Sequence, residues 1–322
     1  MTEAEIIALF TAEKKQSSTV VGIGDDCAVI AATDLQTVIT TDALVEGVHF
    51  IRAKILPADL GYKAVATNLS DVAAMGATPT HILLSLCMPR GIESSWLRSF
   101  ADGCKKICRS YGVDIIGGNT SRSERDIVIS ITAIGRARAE QLKYRHQAKF
   151  GDIVFVSRTV GDSAAGMDLL LTTTTPYTDS LIQRHVRPVP EIELGSWLGA
   201  RTEVNALMDL SDGLLLDVPK VSSASNCGID IELECIPVSP EVLDYCASKG
   251  VEPRTFAISG GEDYALLGTC GAEHWAQLTL DCRAQCGRIL QRIGTVTSNQ
   301  SSVRWVQNGA EITPEVSPFA HF

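Results

Sequence analysis

At 322 residues the chain is long enough for about two domains, and 45% hydrophobic with 20% charged residues lets it bury a core and excludes a disordered chain. Its 28 Lys and Arg against 38 Asp and Glu leave a net charge of −10, which argues against a duplex nucleic-acid binder. No apolar run reaches the roughly 18 residues of a membrane span, and the opening MTEAEIIALF carries acids where a secretory leader needs bases, so a cytoplasmic protein is expected.

Thr2-x-x-Glu5 is a capping box before the run Ile6, Ile7, Leu9, Phe10 and predicts a short opening helix. Strands are expected at 27–30 and 37–41. Pro57 begins a long helix, with Leu60, Ala64, Leu69 and Val72 at helical spacing and Gly76 at its end. A strand at 82–88, a helix at 94–111 and β-branched strands at 113–116 and 127–134 follow. The charged, weakly patterned stretch 137–150 reads as a crossing between domains, placed at 1–137 and 138–322. Beyond it, strands are expected at 153–156, 206–208, 229–233, 264–267, 289–296 and 303–306, and helices at 161–171, 191–200, 214–225, 240–248 and 272–286. Strands alternate with helices in both halves, which reads as two α/β layered domains. The ten cysteines are scattered without a Cys-x-x-Cys pair, and Cys104/Cys108 and Cys282/Cys286 fall on single helix faces, so reduced thiols are expected, not a zinc site or a disulfide scaffold.

The informative feature is where the acids sit. Polar clusters flanked by Gly, Ser and Thr are Gly24-Asp25-Asp26, Thr40-Thr41-Asp42, Asn68-Leu69-Ser70-Asp71, Gly117-Gly118-Asn119-Thr120, Asp209-Leu210-Ser211-Asp212-Gly213 and Gly260-Gly261-Glu262-Asp263. Any one Asp-Gly after a strand is ordinarily a turn. Six clusters, each read at the end or start of a regular element, point to loops converging on one crevice. Gathered carboxylates repel unless a hard divalent cation relieves them, and magnesium prefers oxygen ligands shared with phosphates. Asn68 and Asp71, three apart, share a helix face. An Asp in an otherwise apolar helix needs a partner: a cap or an ion pair to Lys63 on one reading, a metal on the other. No Walker loop, GxGxxG, kinase catalytic-loop set or GxSxG occurs. Gly117 and Gly118 would let backbone amides approach a phosphate. Arg145 reads equally as a phosphate contact and as a solvated surface arginine.

The segments VGIGDDCAVI (21–30), TTDALVEGVHF (40–50), GYKAVATNLSDVAAMGATP (61–79), IIGGNTSR (115–122), GDSAAG (161–166), RHVRPVPEI (184–192), MDLSDGLLLD (208–217) and SGGEDYALL (259–267) together resemble the thiamine-monophosphate kinase family over nearly the whole chain. The resemblance implies an aminoimidazole ribonucleotide synthetase-like fold. Its N-terminal sheet would complete a barrel with that of a second copy in a homodimer, and its C-terminal α/β domain would complete the cleft. It also implies transfer of a phosphoryl group from ATP, the co-substrate, to thiamine monophosphate, with several Mg2+ ions and with no nucleic acid or membrane partner. Asp26, Thr40, Thr41, Asp42, Asp71, Asp209 and Asp212 match the family's magnesium positions. Arg145, Gly118 and Ser211 match its ATP contacts, and His49, Glu262 and Phe319 its substrate contacts. Asn119 stands where the family usually has Asp. It keeps an oxygen for magnesium and the nucleotide but loses a charge. No residue is expected as acid or base; Asp42 and Asp71 are expected as the central ligands of a metal clamp.

Overall fold

The computed structural model describes residues 1–11, 17–23, 27–172, 174–298 and 300–314, so the expectations for Asp26 and Phe319 lie outside the described residues. The chain forms two compact units, Met1–Val72 with Ala77–Ala139, and Ala73–Gly76 with Glu140–Phe322.

In the first unit, helix α1 (Glu3–Phe10) starts at the expected capping box: the Glu5 amide donates to Thr2 Oγ1 at 3.3 Å and the Thr2 amide to the Glu5 carboxylate at 2.7 Å. Strands β1 (Thr19–Val21) and β2 (Val29–Ile30) pair antiparallel. Next come β3 (Gln36–Val45), α2 (Pro57–Ala74), β4 (Thr78–Met88), α3 (Ser94–Tyr111), β5 (Asp114–Arg122) and β6 (Val128–Ala137). The four longer strands form one sheet in the order β3-β6-β4-β5, with only β4 and β5 parallel. One sheet face is buried: Ile129, Ile131 and Ala133 of β6 alternate with partly covered Ser130, Thr132 and Ile134. Leu60, Val65, Leu69 and Val72 supply the buried stripe of α2. Helices α2 and α3 touch backbone to backbone, since a Cβ on Gly61 would fall 2.2 Å from the Phe100 carbonyl oxygen and one on Gly103 1.9 Å from that of Ala58.

The second unit holds β7 (Ile153–Val156), α4 (Asp162–Thr172), α5 (Ser180–Val186), α6 (Ile192–Gly199), β8 (Val204–Asp209), α7 (Leu214–Ser225), β9 (Gly228–Glu232), α8 (Pro240–Lys249), α9 (Pro253–Ser259), β10 (Leu266–Cys270), α10 (Trp275–Cys286), β11 (Gln291–Ser298), β12 (Ser302–Gln307) and β13 (Ala310–Ile312). Its sheet runs β13-β12-β9-β11-β7-β10-β8, antiparallel except where β12 meets β9. Both faces are covered. Val154, Val156, Met208 and Leu267 enter one apolar core, while their strand neighbours Phe155, Leu207 and Leu266 enter the other. This is the layered α/β architecture expected.

Two local expectations are corrected. Thr40-Thr41-Asp42 lies in the middle of β3, and Gly117–Thr120 lies inside β5, so neither is a loop at a strand end. Pairing with the neighbouring strand carries these polar residues: Thr41 faces Thr132 on β6, and Asn119 faces Ser85 on β4. All ten cysteines are free thiols.

Candidate active site

In the first unit, strand alternation sends Thr40 and Asp42 to one side of β3 and Thr41 to the other. On the helix side, Thr40 Oγ1 donates to Asp71 Oδ2 at 2.6 Å and the Asp42 amide donates to Asn68 Oδ1 at 3.0 Å. The Asn68 amide group is oriented by its own donation to the Ala64 carbonyl one turn back, at 3.1 Å. Asn68 and Asp71 therefore both meet β3, as their spacing predicts. On the opposite side, Thr41 Oγ1 donates to the Ile131 carbonyl at 3.0 Å and accepts from Thr132 Oγ1 at 3.2 Å. Thr132, Ser85, Gly117, Gly118, Asn119 and α1 line a cavity of about 790 Å³ on that side. Gly118 is there because β5 passes too close to β4 for a side chain: its φ is +153°, and a Cβ would lie 1.8 Å from the Leu84 carbonyl oxygen. His49 accepts the Val45 amide on Nδ1 at 3.0 Å, which leaves the ring proton of the neutral form on Nε2.

In the second unit, Asp209 ends β8 and is buried. The pairing of β8 with β10 continues past both strand ends: the Leu210 amide donates to the Ala265 carbonyl, the Tyr264 amide to the Leu210 carbonyl, and the Glu262 amide to the Ser211 carbonyl, at 2.8, 2.9 and 2.8 Å. This ladder brings Asp209, Ser211, Asp212 and Glu262 onto two tied segments. Glu262 and Tyr264 hold φ of +63° and +50° to stay in it, a left-handed conformation uncommon for residues with side chains. The Glu262 carboxylate lies 3.5 Å from His185 Nδ1, which in turn is 3.0 Å from Ser163 Oγ. Asp263 accepts the amides of Gly161 and Ser163 at 2.6 and 3.0 Å at the start of α4. Desolvation nonetheless pushes its carboxyl up to about 7, with those two amides pulling the other way. Arg145 is exposed on a short turn whose carbonyl accepts Ser225 Oγ at 2.6 Å.

The structure thus brings Thr40, Asp42 and Asp71 together in one unit and Asp209, Ser211, Asp212 and Glu262 in the other, and keeps Thr41 and Asn119 on the cavity side of the first sheet. Among the described residues no three His, Cys, Asp or Glu side chains form a ready-made metal cluster. The donors that do meet are carboxylate, hydroxyl and amide oxygens, a set that fits a hard cation such as magnesium better than a soft one.

Residues 24–137 match the model of the AIR synthase related protein, N-terminal domain, family. Over 327 aligned positions the chain is 38% identical to the thiamine-monophosphate kinase of Buchnera aphidicola from Schizaphis graminum, covering 99% of this chain and 98% of that one. The chain belongs to the thiamine-monophosphate kinase family. Among solved structures it is similar to AaThiL complexed with AMPPCP and TMP, at 37% identity and a TM-score of 0.77 over 91% of this chain and 90% of that one. The hydrogenase maturation protein HypE of E. coli, 20% identical with a TM-score of 0.79 over 98% and 97%, shares the fold.

For a thiamine-monophosphate kinase family member, two polar residues stand out that the acid clusters did not single out. Asp217, fully buried in the first turn of α7, accepts the amides of Asp212 and Gly213 at 3.0 Å each. Lys220 donates to Asp212 at 2.5 Å and to Asp217 at 2.7 Å. The sequence did carry a signal for the second pair, an Asp and a Lys three apart on a helix beside a Ser-Asp-Gly turn.

Proposed function

We propose that the chain transfers the terminal phosphoryl group of ATP directly to thiamine monophosphate, yielding thiamine diphosphate and ADP, the last step in making that coenzyme. The observation that carries this reading is similarity to a thiamine-monophosphate kinase along 99% of the chain. The binding of AMPPCP and TMP by AaThiL supports a site that takes an ATP-type nucleotide and the acceptor together.

The acceptor is a phosphate monoester with a second pKa near 6, mostly a dianion at neutral pH, so its attacking oxygen needs no strong base. The obstacle is repulsion between that dianion and the nucleotide tail. Asp26, Thr40, Thr41, Asp42, Asp71, Asp209 and Asp212 would hold several magnesium ions, with Asn119 as a neutral oxygen donor, and Asp42 and Asp71 would be the central ligands. Bound there, magnesium would screen the two phosphates from each other and stabilise charge in an in-line transition state. Gly118, Asn119, Ser211 and Arg145 would meet the nucleotide, and His49, Glu262 and Phe319 the acceptor. His49 is suited to orient, not to take a proton, because its Nδ1 already accepts the Val45 amide.

A homodimer belongs to this reading. β3 and β5 are opposite edges of the four-stranded sheet, roughly 14 Å apart at ordinary strand spacing. Asn119 can therefore act on the same triphosphate as Thr40, Asp42 and Asp71 most directly if a second copy sets its β5 edge beside this β3. Ten free thiols support a reducing, cytoplasmic setting. The test is a ³¹P assay with ATP, thiamine monophosphate and Mg2+. Thiamine diphosphate and ADP in equal amounts are expected. Inorganic phosphate released without the thiamine acceptor would mark a phosphohydrolase and overturn the proposal.

A further inference from the structure

The reading of Asp212 as a cation ligand meets an obstacle on its own loop: the Asp212 carboxylate is already engaged by a positive charge. Lys220, one turn along α7 from Asp217, spans both carboxylates through one ammonium group, at 2.5 Å to Asp212 and 2.7 Å to Asp217. The two acids are not equivalent. Asp217 is sealed in the fold and holds the backbone of the turn through the Asp212 and Gly213 amides. Asp212 keeps 35% of its side chain exposed, and Lys220 37%, so this arm of the bridge opens to solvent.

We infer that Lys220 is a positioning residue that acts as a resident counter-cation for Asp212: it holds the carboxylate in place without a metal and must yield it when a divalent ion binds. This rests on Asp212 being a cation ligand. Asp217 stays with Lys220 throughout, so the ammonium has a second anion to retire to and the turn keeps its shape. One consequence follows from electrostatics alone. Removing the ammonium charge lets a divalent ion reach Asp212 without displacing a competitor and without a neighbouring like charge. A lysine that only braced the turn would do the opposite, because its loss would loosen the loop and weaken cation binding.

The experiment titrates Mn2+ into the full chain, with and without AMPPCP, and reads free Mn2+ by its paramagnetic resonance signal. Wild type is compared with Lys220→Met, Lys220→Gln, Lys220→Arg and Asp212→Asn, with folding of each checked by circular dichroism. Because the Asp212 arm of the bridge is a little over one-third exposed, its strength is that of a modest ion pair, and the expected gain is roughly two- to fivefold in Mn2+ affinity for Lys220→Met. Lys220→Gln, which keeps a donor but not the charge, should bind Mn2+ more tightly too, and it carries the test if the Met variant does not fold. Lys220→Arg should match wild type, and Asp212→Asn should bind more weakly. If Asp212→Asn weakens binding while the neutral Lys220 variants bind no better than wild type, the counter-cation role is overturned and Asp212 remains a ligand. If Asp212→Asn leaves Mn2+ binding unchanged, the ligand reading itself falls and this role with it.

Discussion

Asn119 is one residue where a single charge can be counted. It sits exposed on β5 at the rim of a large cavity, and it supplies an amide oxygen where the family usually supplies a carboxylate. Asn119→Asp should lower the Mg2+ concentration needed for half-maximal rate; an unchanged or higher requirement would remove Asn119 from the cation set. Asp71 should behave differently, because its carboxylate is shared between Thr40 and the proposed cations. Asp71→Ala should remove most of kcat, by a factor on the order of 10² or more, with a smaller effect on the KM for thiamine monophosphate; near-normal kcat would refute the role. Asp263 gives a pH prediction. Its folded pKa, about 7, is raised from 3.8, so the neutral form is the one the fold favours. That contribution is fully present below 3.8 and is lost as pH rises through about 7. Asp263→Asn lacks the ionisation, so the amount by which wild type exceeds it in Tm should shrink from about pH 5 to about pH 8. A gap that widens with pH would mean that the anion capping α4 is the stabilising species.

At the scale of elements, the chemistry depends on how closely α2 can approach its neighbours. α2 carries Asn68 and Asp71 to β3 while its other side abuts α3 through Gly61 and Gly103. Gly103→Ala puts a methyl group where only 1.9 Å separates the ideal Cβ from a carbonyl oxygen. Overpacking of this kind costs about 1–3 kcal/mol, so a clear loss of Tm is expected in calorimetry, with activity falling as α2 shifts. Unchanged Tm and activity would show that the helices separate freely. The same elements show what could be read beforehand. Helices with caps and apolar periodicity were legible: α1 from its capping box, α3 and α7 to the residue. The short helices α5 and α9 were not, because seven residues carry too little periodicity and their starts lie in a Tyr-Thr-Asp turn and a Glu-Pro step. Gly117–Thr120 was legible as special but not as strand. Glycines and Asn lack strand propensity, and only the β4 backbone alongside makes Gly118 a necessity instead of a break. The pairing of Thr40 with Asp71 depends on contacts across 31 positions, which local pattern cannot give.

For the whole molecule, sheet order makes the strongest demand. Residues proposed to serve one triphosphate stand on opposite edges of the same sheet, so each complete site would draw β3 and α2 from one copy and β5 from another. Asp71→Ala and Asn119→Lys chains, each impaired alone, should then complement when refolded together. A random mixture of two-fold dimers would place one intact site in half of the dimers and recover about a quarter of wild-type activity. No recovery, with mixed dimers demonstrated by mass, would place the whole site within one chain. The function and family were legible from the joint order of the motifs; this division between edges was not, because it appears only once strands are ranked in space.

The hydrogen-bonded ladder between 210–211 and 262–265 fixes more than a shape. One added or deleted residue in either segment would slip every rung and turn Glu262 away from its present side, so the two stretches are locked to a common length. Diversification of the side chains this ladder presents must then proceed by exchange at constant spacing, and a graft of one segment without its mate should fail.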